Sequence, residues 1–500
     1  MYGVWTVDHV KAAERRLIER TGEAVLMRRA AFGVAVHAAR MLEAHTGGVA
    51  GRRVVLLVGA GNNGGDALWA GAFLRRRGVS VDAILLAPDR AHPSGLAALR
   101  RAGGRATDAQ NHQRAGTLLA TAHLVIDGIV GLSAKGGLRR AAAELVELIG
   151  CPVLAVDLPS GVDPDTGATN AAHVRADVTV TFGARKPVHV LGAGSVASGD
   201  VRLVDIGLCP ELGEPDLALL DAEDVGAAWP VPTPDSDKYN QGVVGVAAGS
   251  ATYPGAAVLS TSGAVYATAG MVRFAGSAAD VVRARWPEIV ATGSVQDAGR
   301  VQSWVVGPGL GTGSSAQDVL RTVLGSGVPV CADADALTMI AETPTLADAR
   351  DPDTPLVLTP HDGEFARLAG DVGDDRVGAA LRAAARWQAV VLLKGHTTVI
   401  AGPDRRVLVN PVRSAWPATA GSGDVLSGVI GALLAAGLDP VLAAGAAAYV
   451  HSLAGELSAA NAPTSASRLA DLLPNAIRTV RAAAGADQKS LPGGLEMAAR

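Results

Sequence analysis

The 500-residue chain predicts an α/β fold in two successive domains, each a largely parallel sheet wrapped by helices. Three observations lead there. Apolar, strand-like runs alternate with segments of helical spacing, the pattern of βαβ units. Several of these runs end in glycine beside a polar residue, as strands do at the ligand-binding carboxyl edge of a parallel sheet. A proline-rich stretch, "AAWPVPTPDSDKYNQG" (227–242), separates one such series from the next and reads as a linker.

In chain order, Val7 to Thr46 carries helical spacing throughout. "RRVVLLVGAG" (Arg52–Gly61) reads as a buried strand, "GDALWAGAFLRRRG" as a helix ending at Gly78, and "VSVDAILLAP" as the next strand. "HLVIDGIVG" (His123–Gly131) and "PVLAVDLPSG" (Pro152–Gly161) follow, with "LRRAAAELVELIG" as a helix between them. After the linker come "GVVGVAAGS", "SWVVGPGLGTG", "VPVCADADAL", "TPLVLTPHDGEFARL", "AVVLLKGHTTVIAG" and "ATAGSGDVLSGVIGALLAAG". The expected domains are residues 1–215 and 225–484; the tail, 485–500, mixes glycine, proline and charge without period and reads as disordered.

Composition narrows the function. The formal charge of −4 offers no basic surface for nucleic acid. No apolar run approaches the roughly 20 residues of a spanning helix, so no membrane role is expected. The start, "MYGVWTVDHVKAAERR", lacks the charged and apolar regions of a secretory signal. Cys151, Cys209 and Cys331 form no CxxC pair or disulfide framework, so the expected compartment is the reducing cytoplasm. Lysine is rare beside arginine, which draws attention to each of Lys11, Lys135, Lys186, Lys238, Lys394 and Lys489.

The first chemical signal is "VGAGNNGGDALWAG" (Val58–Gly71). Glycines between a buried strand and a helix bring a ligand onto unpaired helix N–H groups. Gly59, Gly61 and Gly64 formally fit the G-x-G-x-x-G pattern, but Asn62, Asn63 and Asp66 are extra polar groups that a plain Rossmann loop does not need. One of them also fits a simple N-cap. Asp127 closes "LVIDG", ahead of the flexible "GLSAKGG" (Gly131–Gly137), and Asp157 and Ser160 close "AVDLPSG". Each acid alone also fits a solvated strand end. Three strand ends repeating the pattern point to a site where Asn63, Asp127 and Ser160 offer oxygens suited to a hard cation.

"NNGGD", "IDGIVGLSAKGGLR" and "VDLPSGVDPDTG", in this order, resemble the epimerase domain of the NAD(P)H-hydrate repair enzymes, over about Val7 to Gly207. The resemblance implies a Rossmann-like, doubly wound domain. It implies that Asn62, Asn63, Gly64, Gly65 and Asp66, with Gly131, Leu132, Ser133, Ala134, Lys135, Gly136 and Gly137, hold the hydrated nucleotide. It further implies that Asn63, Asp127 and Ser160 bind a potassium ion and that Asp157 works beside the reacting carbon. Ala67 stands where that family has glycine, at a position where a first helical turn accepts alanine.

In the second half, "ATAGSGDVLSGVIGALL" places Gly421 and Gly423 before an apolar helix and Asp424 in its first turn. The exposed N–H groups suit transferring phosphate oxygens, and the carboxylate suits a substrate hydroxyl proton. A capped helix with an acid in its first turn is the plainer reading. Its companions are "GPGLGTG" (Gly307–Gly313), "TPHDGEFARL" with His361 and Glu364, and "LLKGHTTVI" with Lys394. His361 alone fits a structural histidine and Lys394 a surface charge. Together these motifs resemble the ribokinase-like, ADP-dependent NAD(P)H-hydrate dehydratases over about Lys238 to Arg481. That resemblance implies that Ala256, Gly309, His361 and Asp424 contact the hydrate, that Lys394, Gly395, His396, Thr397, Thr398 and Gly423 hold ADP, and that magnesium accompanies it. No Walker A pattern occurs.

The expected activity has two linked parts: epimerisation of the R and S hydrates NADHX and NADPHX, with Asp157 as acid–base group, and ADP-driven dehydration of the S form, with Asp424 as base. A vitamin or sugar kinase fused to a non-catalytic nucleotide-binding module is the alternative. The resemblance and the chain length lead to the expectation of a symmetric homo-oligomer.

Overall fold

A computed structural model describes residues 1–133, 136–169, 171–267 and 270–485. The chain divides into two compact units, Gly3–Leu217 and a second holding Met1–Tyr2 and the chain from Ala218 on. The proline-rich segment 227–242 lies inside the second unit, after the helix Ala222–Ala228. Its prolines therefore punctuate a loop and do not divide the units, which corrects the linker expectation.

The first unit opens with helices α1 (Val7–Thr21) and α2 (Glu23–Thr46). The single helical region expected there is broken at Gly22, whose φ of 81° turns the chain while its N–H still bonds to Ile18. Strands β1 (Arg53–Val58), β2 (Ser80–Leu85), β3 (Arg105–Asp108), β4 (Leu124–Gly128), β5 (Val153–Val156), β6 (Val178–Phe182) and β7 (Asp200–Val204) form a 7-stranded sheet. Every neighbouring pair is parallel, in the order β3-β2-β1-β4-β5-β6-β7. Successive side chains of β1 feed two cores: Val54, Leu56 and Val58 pack with α1 and α2, while Val55 and Leu57 face the opposite layer. This is a doubly wound domain. Its strand order reverses between β1 and β4, and that switch point opens a crevice at the carboxyl edge.

The second unit is built on β8 (Val243–Ala247), β9 (Met271–Ala275), β10 (Val290–Thr292), β11 (Ser303–Val306), β12 (Val330–Ala332), β13 (Leu356–Leu358), β14 (Val390–Leu393), β15 (Thr397–Ala401) and β16 (Val407–Pro411). They lie in the order β10-β9-β8-β11-β12-β13-β14-β15-β16, parallel from β10 to β14, with β15 antiparallel to both neighbours. The helix Ser422–Ala435 is apolar nearly all round because it is buried nearly all round. It packs on the helix Pro254–Tyr266 through facing glycines: a Cβ on Gly428 would stand 2.1 Å from Ser260 O, and one on Gly263 2.1 Å from Val425 O. Only hydrogen fits there, so the two backbones nearly touch. That contact fixes where the first turn at Ser422–Asp424 points.

Candidate active sites

In the first unit α3 (Asn62–Arg75) follows β1 after a turn at Gly61, whose φ is 97°. The NNGGD residues are thus the first helical turn, not a loop. Gly61 supplies the left-handed turn, and the next residues are free to coil. Asn62 Nδ2 donates to Glu23 Oε1 at 2.7 Å, and the buried Asn63 donates from Nδ2 to Val130 O at 2.9 Å. Gly64 packs against Gly59 and Val58, and Gly65 against Met27 and His92. Asp66 is buried, and its Oδ1 has no hydrogen-bond partner among the described residues.

A cavity of about 500 Å³ opens at the switch point. Of the expected substrate-binding residues, Asn62, Asn63, Asp66, Gly131, Leu132, Ser133 and Asp157 line it. Gly64, Gly65, Gly136 and Gly137 are not among its lining residues, and Gly137 packs on Ala171. Ala134, Lys135 and the tail from 486 lie outside the described residues.

Asp127 and Ser160 sit beneath the cavity, fully buried. Asp127 Oδ1 accepts from Ser160 Oγ at 2.7 Å and from Ile129 N at 3.1 Å, and Oδ2 from Ser160 N at 2.8 Å. Val130 N donates to Ser160 Oγ at 3.0 Å, and Val130 O accepts from Asn63, so one backbone residue ties the three expected ligands together. Burial pushes the Asp127 carboxyl up to about 6, against the pull of its bonds from Ser160 and Ile129. All of its partners are neutral. A buried carboxylate with oxygens of Asn63, Val130 and Ser160 around it could hold a hard cation.

Asp157 follows β5 in the left-handed region, with φ 67°. Its Oδ1 accepts from Lys186 Nζ at 2.6 Å and from Thr181 Oγ1 at 3.0 Å. Its other oxygen takes no hydrogen bond from a described residue. Lys186 is 1% exposed and also donates to Thr181 Oγ1 at 2.8 Å. His189 Nδ1 accepts from Lys186 N at 3.0 Å, which leaves Nε2 to donate to Asp157 O at 2.8 Å. Burial, with the Lys186 charge, lowers this histidine to about 4, so it is neutral. Two further acids face the same cavity. Asp66 is raised well above the usual carboxyl range by burial and by the charges of Asp157 and Glu14, and Glu14 is itself raised, chiefly by burial. Lys186, Thr181, His189, Glu14 and Val130 were not read from the sequence as site residues. The scarcity of lysine was the one signal for Lys186.

In the second unit the helix begins at Ser422, after Gly421 at φ 85°, so Gly423 lies in the first turn and not before it. A Cβ on Gly423 would stand 3.3 Å from Lys394 Nζ, so that amine lies against the helix N-terminus. Lys394 pairs with Asp333 Oδ1 at 2.8 Å and lies 3.9 Å from Glu364 Oε2. Burial pulls the amine down, but the Asp333 and Glu364 charges outweigh it and leave the amine raised. Asp333 Oδ2 accepts from Ser427 Oγ at 2.6 Å. Asp424 is pushed up to about 7, by burial first and then by Asp333, with Lys394 opposing.

Ala256 and Gly309 are in contact, since a Cβ on Gly309 would come within 2.8 Å of the Ala256 methyl. One turn on from Ala256, Leu259 reaches Gly421. His361 caps the helix Asp362–Ala369: its Nδ1 accepts from Gly363 N at 3.0 Å, while Glu364 accepts from His361 N at 2.9 Å. This ties His361 to the Glu364 carboxylate beside Lys394. Gly395 lies against Arg376, His396 O accepts from Val412 N at 3.0 Å, and Thr397 and Thr398 open β15 with Thr397 buried. Asp333 and Ser427 are the residues missed here. Asp333 ends a strand in "VCADAD", the same signal that marked Asp127.

Comparison with known proteins follows the same division. Residues 23–188 match the family model described as YjeF-related protein N-terminus, and residues 244–478 the model described as NAD(P)H-hydrate dehydratase. A bifunctional NAD(P)H-hydrate repair enzyme of Mycobacterium leprae is 54% identical over 95% of this chain and 98% of its own. A protein of the same name from Corynebacterium glutamicum is 37% identical over 96% of this chain and 99% of its own. Among solved structures, an ADP/ATP-dependent NAD(P)H-hydrate dehydratase from Bacillus subtilis is 30% identical, covering 52% of this chain and 98% of its own at a TM-score of 0.47. With two sites on one chain and relatives matched nearly end to end, this protein belongs to the family of bifunctional NAD(P)H-hydrate repair enzymes.

Proposed function

We infer that the chain repairs hydrated nicotinamide nucleotides. The first unit epimerises the R and S forms of NAD(P)H hydrate, and the second dehydrates the S form at the expense of ADP, giving NAD(P)H, AMP and phosphate. The observation that carries this is the presence of two chemically complete sites on one chain. Asp157 stands over a cavity with a buried lysine behind it, and Asp424 lies in a helix first turn with Lys394 over it. The kinase alternative leaves the first of these unexplained.

Epimerisation inverts the hydroxyl-bearing carbon by ring opening or by reversible loss and return of water or a proton there, and each route moves a proton that an acid–base group can take and return. Asp157 is the base in this reading, and Asp66, raised well above the usual carboxyl range by burial and by its neighbours' charges, lines the same cavity. Asn63, Asp127 and Ser160, with Val130 O, hold potassium, whose charge offsets the buried Asp127 carboxylate. Asn62, Gly131, Leu132 and Ser133, which line the cavity, bind the nucleotide.

Dehydration starts from a poor leaving group. Asp424 takes the hydroxyl proton as that oxygen attacks the terminal phosphorus of ADP. The bond from that phosphorus to the bridging oxygen breaks, and AMP leaves with the electron pair. The N–H groups at Gly423 and the Lys394 charge stabilise the transferring phosphoryl group; phosphate then leaves with the C–O bonding pair and a proton leaves the neighbouring ring carbon, which restores the double bond of the reduced ring. Magnesium, entering with ADP, supplies further neutralisation of phosphate charge. Ala256, Gly309 and His361 contact the hydrate, and Lys394 to Thr398 hold ADP. A cytoplasmic homo-oligomer completes the reading.

The test is incubation of the purified protein with mixed R and S NADH hydrate, potassium, magnesium and either ADP or ATP. Full recovery of the reduced nicotinamide's near-ultraviolet absorbance with ADP is expected. No recovery with either nucleotide contradicts the reading.

A further inference from the structure

The buried lysine behind Asp157 has no role in the reaction as described so far. A lysine 1% exposed is costly unless it is paired and hydrogen-bonded. Lys186 has three acceptors within reach: Asp157 Oδ1 at 2.6 Å, Thr181 Oγ1 at 2.8 Å and Phe182 O at 3.4 Å. Thr181 in turn donates to the same Asp157 oxygen. The main chain is held as well: the Asp157 carbonyl is gripped by His189 Nε2, and His189 is oriented by the Lys186 N–H. Asp157 itself sits at φ 67°, a conformation that costs a non-glycine residue of order 1–3 kcal/mol and persists only where surroundings over-determine it.

We propose that Lys186 is a positioning residue for epimerisation, holding the Asp157 carboxylate in one fixed orientation at the cavity wall. The groups around Asp157 show why one is needed. Glu14 from α1, with Lys11 beside it, and Asp66 from α3 face the cavity, and His189 is neutral. Several carboxyls therefore crowd one site, and Lys186 is the one fully buried cation among the described residues there. It hydrogen-bonds to Asp157 and not to the other two, so it fixes which carboxyl is held at the wall. Its bond to one oxygen also leaves the second to the substrate. The residue acts through Asp157, so this inference rests on the role given to Asp157 above.

The test compares epimerisation by the full chain carrying Lys186→Met, Asp157→Asn or both, with the hydrate epimers separated by chromatography. Lys186→Met is expected to lower kcat at least ~100-fold at neutral pH. The loss should fall on kcat, with KM changed less than about threefold, because the residues that contact the substrate stay in place. In the Asp157→Asn background the same change should alter the residual rate less than about threefold, the signature of two residues acting as a unit. A lysine that only supports the fold would lower Tm and leave the kcat of the folded protein within about threefold of wild type, and that result overturns the proposal. If Lys186→Met does not accumulate folded, Lys186→Arg decides. It keeps the charge but not the reach, and a reduced kcat with KM unmoved is expected; wild-type kcat overturns the proposal. Wild-type epimerisation by Asp157→Asn would instead remove the role of Asp157 itself.

Discussion

Lys394 Nζ lies 2.8 Å from Asp333 Oδ1 and against the N-terminal turn that carries Gly423 and Asp424. A cation, a helix N-terminus and a carboxyl thus meet at one point of the second unit. An anion is attracted there, and a proton can be taken there. The predictions below follow from this arrangement and from its counterpart around Asp157.

Asp424→Asn removes the base and leaves the shape. Dehydration of the S hydrate should fall by roughly 10²–10⁴-fold, while R/S exchange is unchanged. Because burial and Asp333 put Asp424 at about 7, wild-type kcat/KM for dehydration should rise with pH through that value and level off above it. A pH–rate profile with ADP saturating checks both points.

The same carboxyl weakens the fold. Its value is raised from 3.8 unfolded to about 7 folded, so the folded state holds the proton more tightly between those limits. The stability this confers is complete below 3.8 and is lost as pH rises to about 7. Asp424→Asn should therefore melt at a higher temperature than wild type at pH ~8, with the gap closing at acid pH. Thermal melts at several pH values test the sign.

Asp127 should matter through potassium. Asp127→Ala removes a buried carboxylate and one ligand, and epimerisation should drop at least roughly tenfold. Wild type in sodium or a bulky organic cation should lose epimerisation and regain it on adding potassium chloride, which rate measurements in each salt would show.

Gly428→Ala tests the helix contact. Its methyl would stand 2.1 Å from Ser260 O, so the two helices must separate. The expected cost is about 1–3 kcal/mol, with a Tm lower by several degrees and dehydration reduced through the displaced first turn. Calorimetry and activity on one preparation measure both.

Strand ends were the most legible feature of the sequence. Asn63, Asp127 and Ser160 could be brought together on paper because parallel strands share one carboxyl edge. Helix starts at glycine-rich turns were harder. Asn62 and Ser422 looked like loop because of the glycines around them, yet Gly61 and Gly421 alone make the turns. Gly22 failed in the opposite sense, as one glycine inside a helical pattern that does break it. Lys186 could not be paired with Asp157 across 29 residues without the fold, because a buried ion pair leaves no periodic trace. Val130 works through its backbone, which no side-chain pattern reveals.

The most direct test of the whole account starts from pure R hydrate. Asp157→Asn, Asp424→Asn and wild type are each given ADP, magnesium and potassium, and both epimers and the reduced nucleotide are followed over time. Wild type should convert all of the R form to NADH. Asp424→Asn should equilibrate R with S and stop, and Asp157→Asn should form NADH only as fast as the R form epimerises without enzyme. Full-rate NADH formation from the R hydrate by Asp157→Asn would contradict the division of labour on which the account rests.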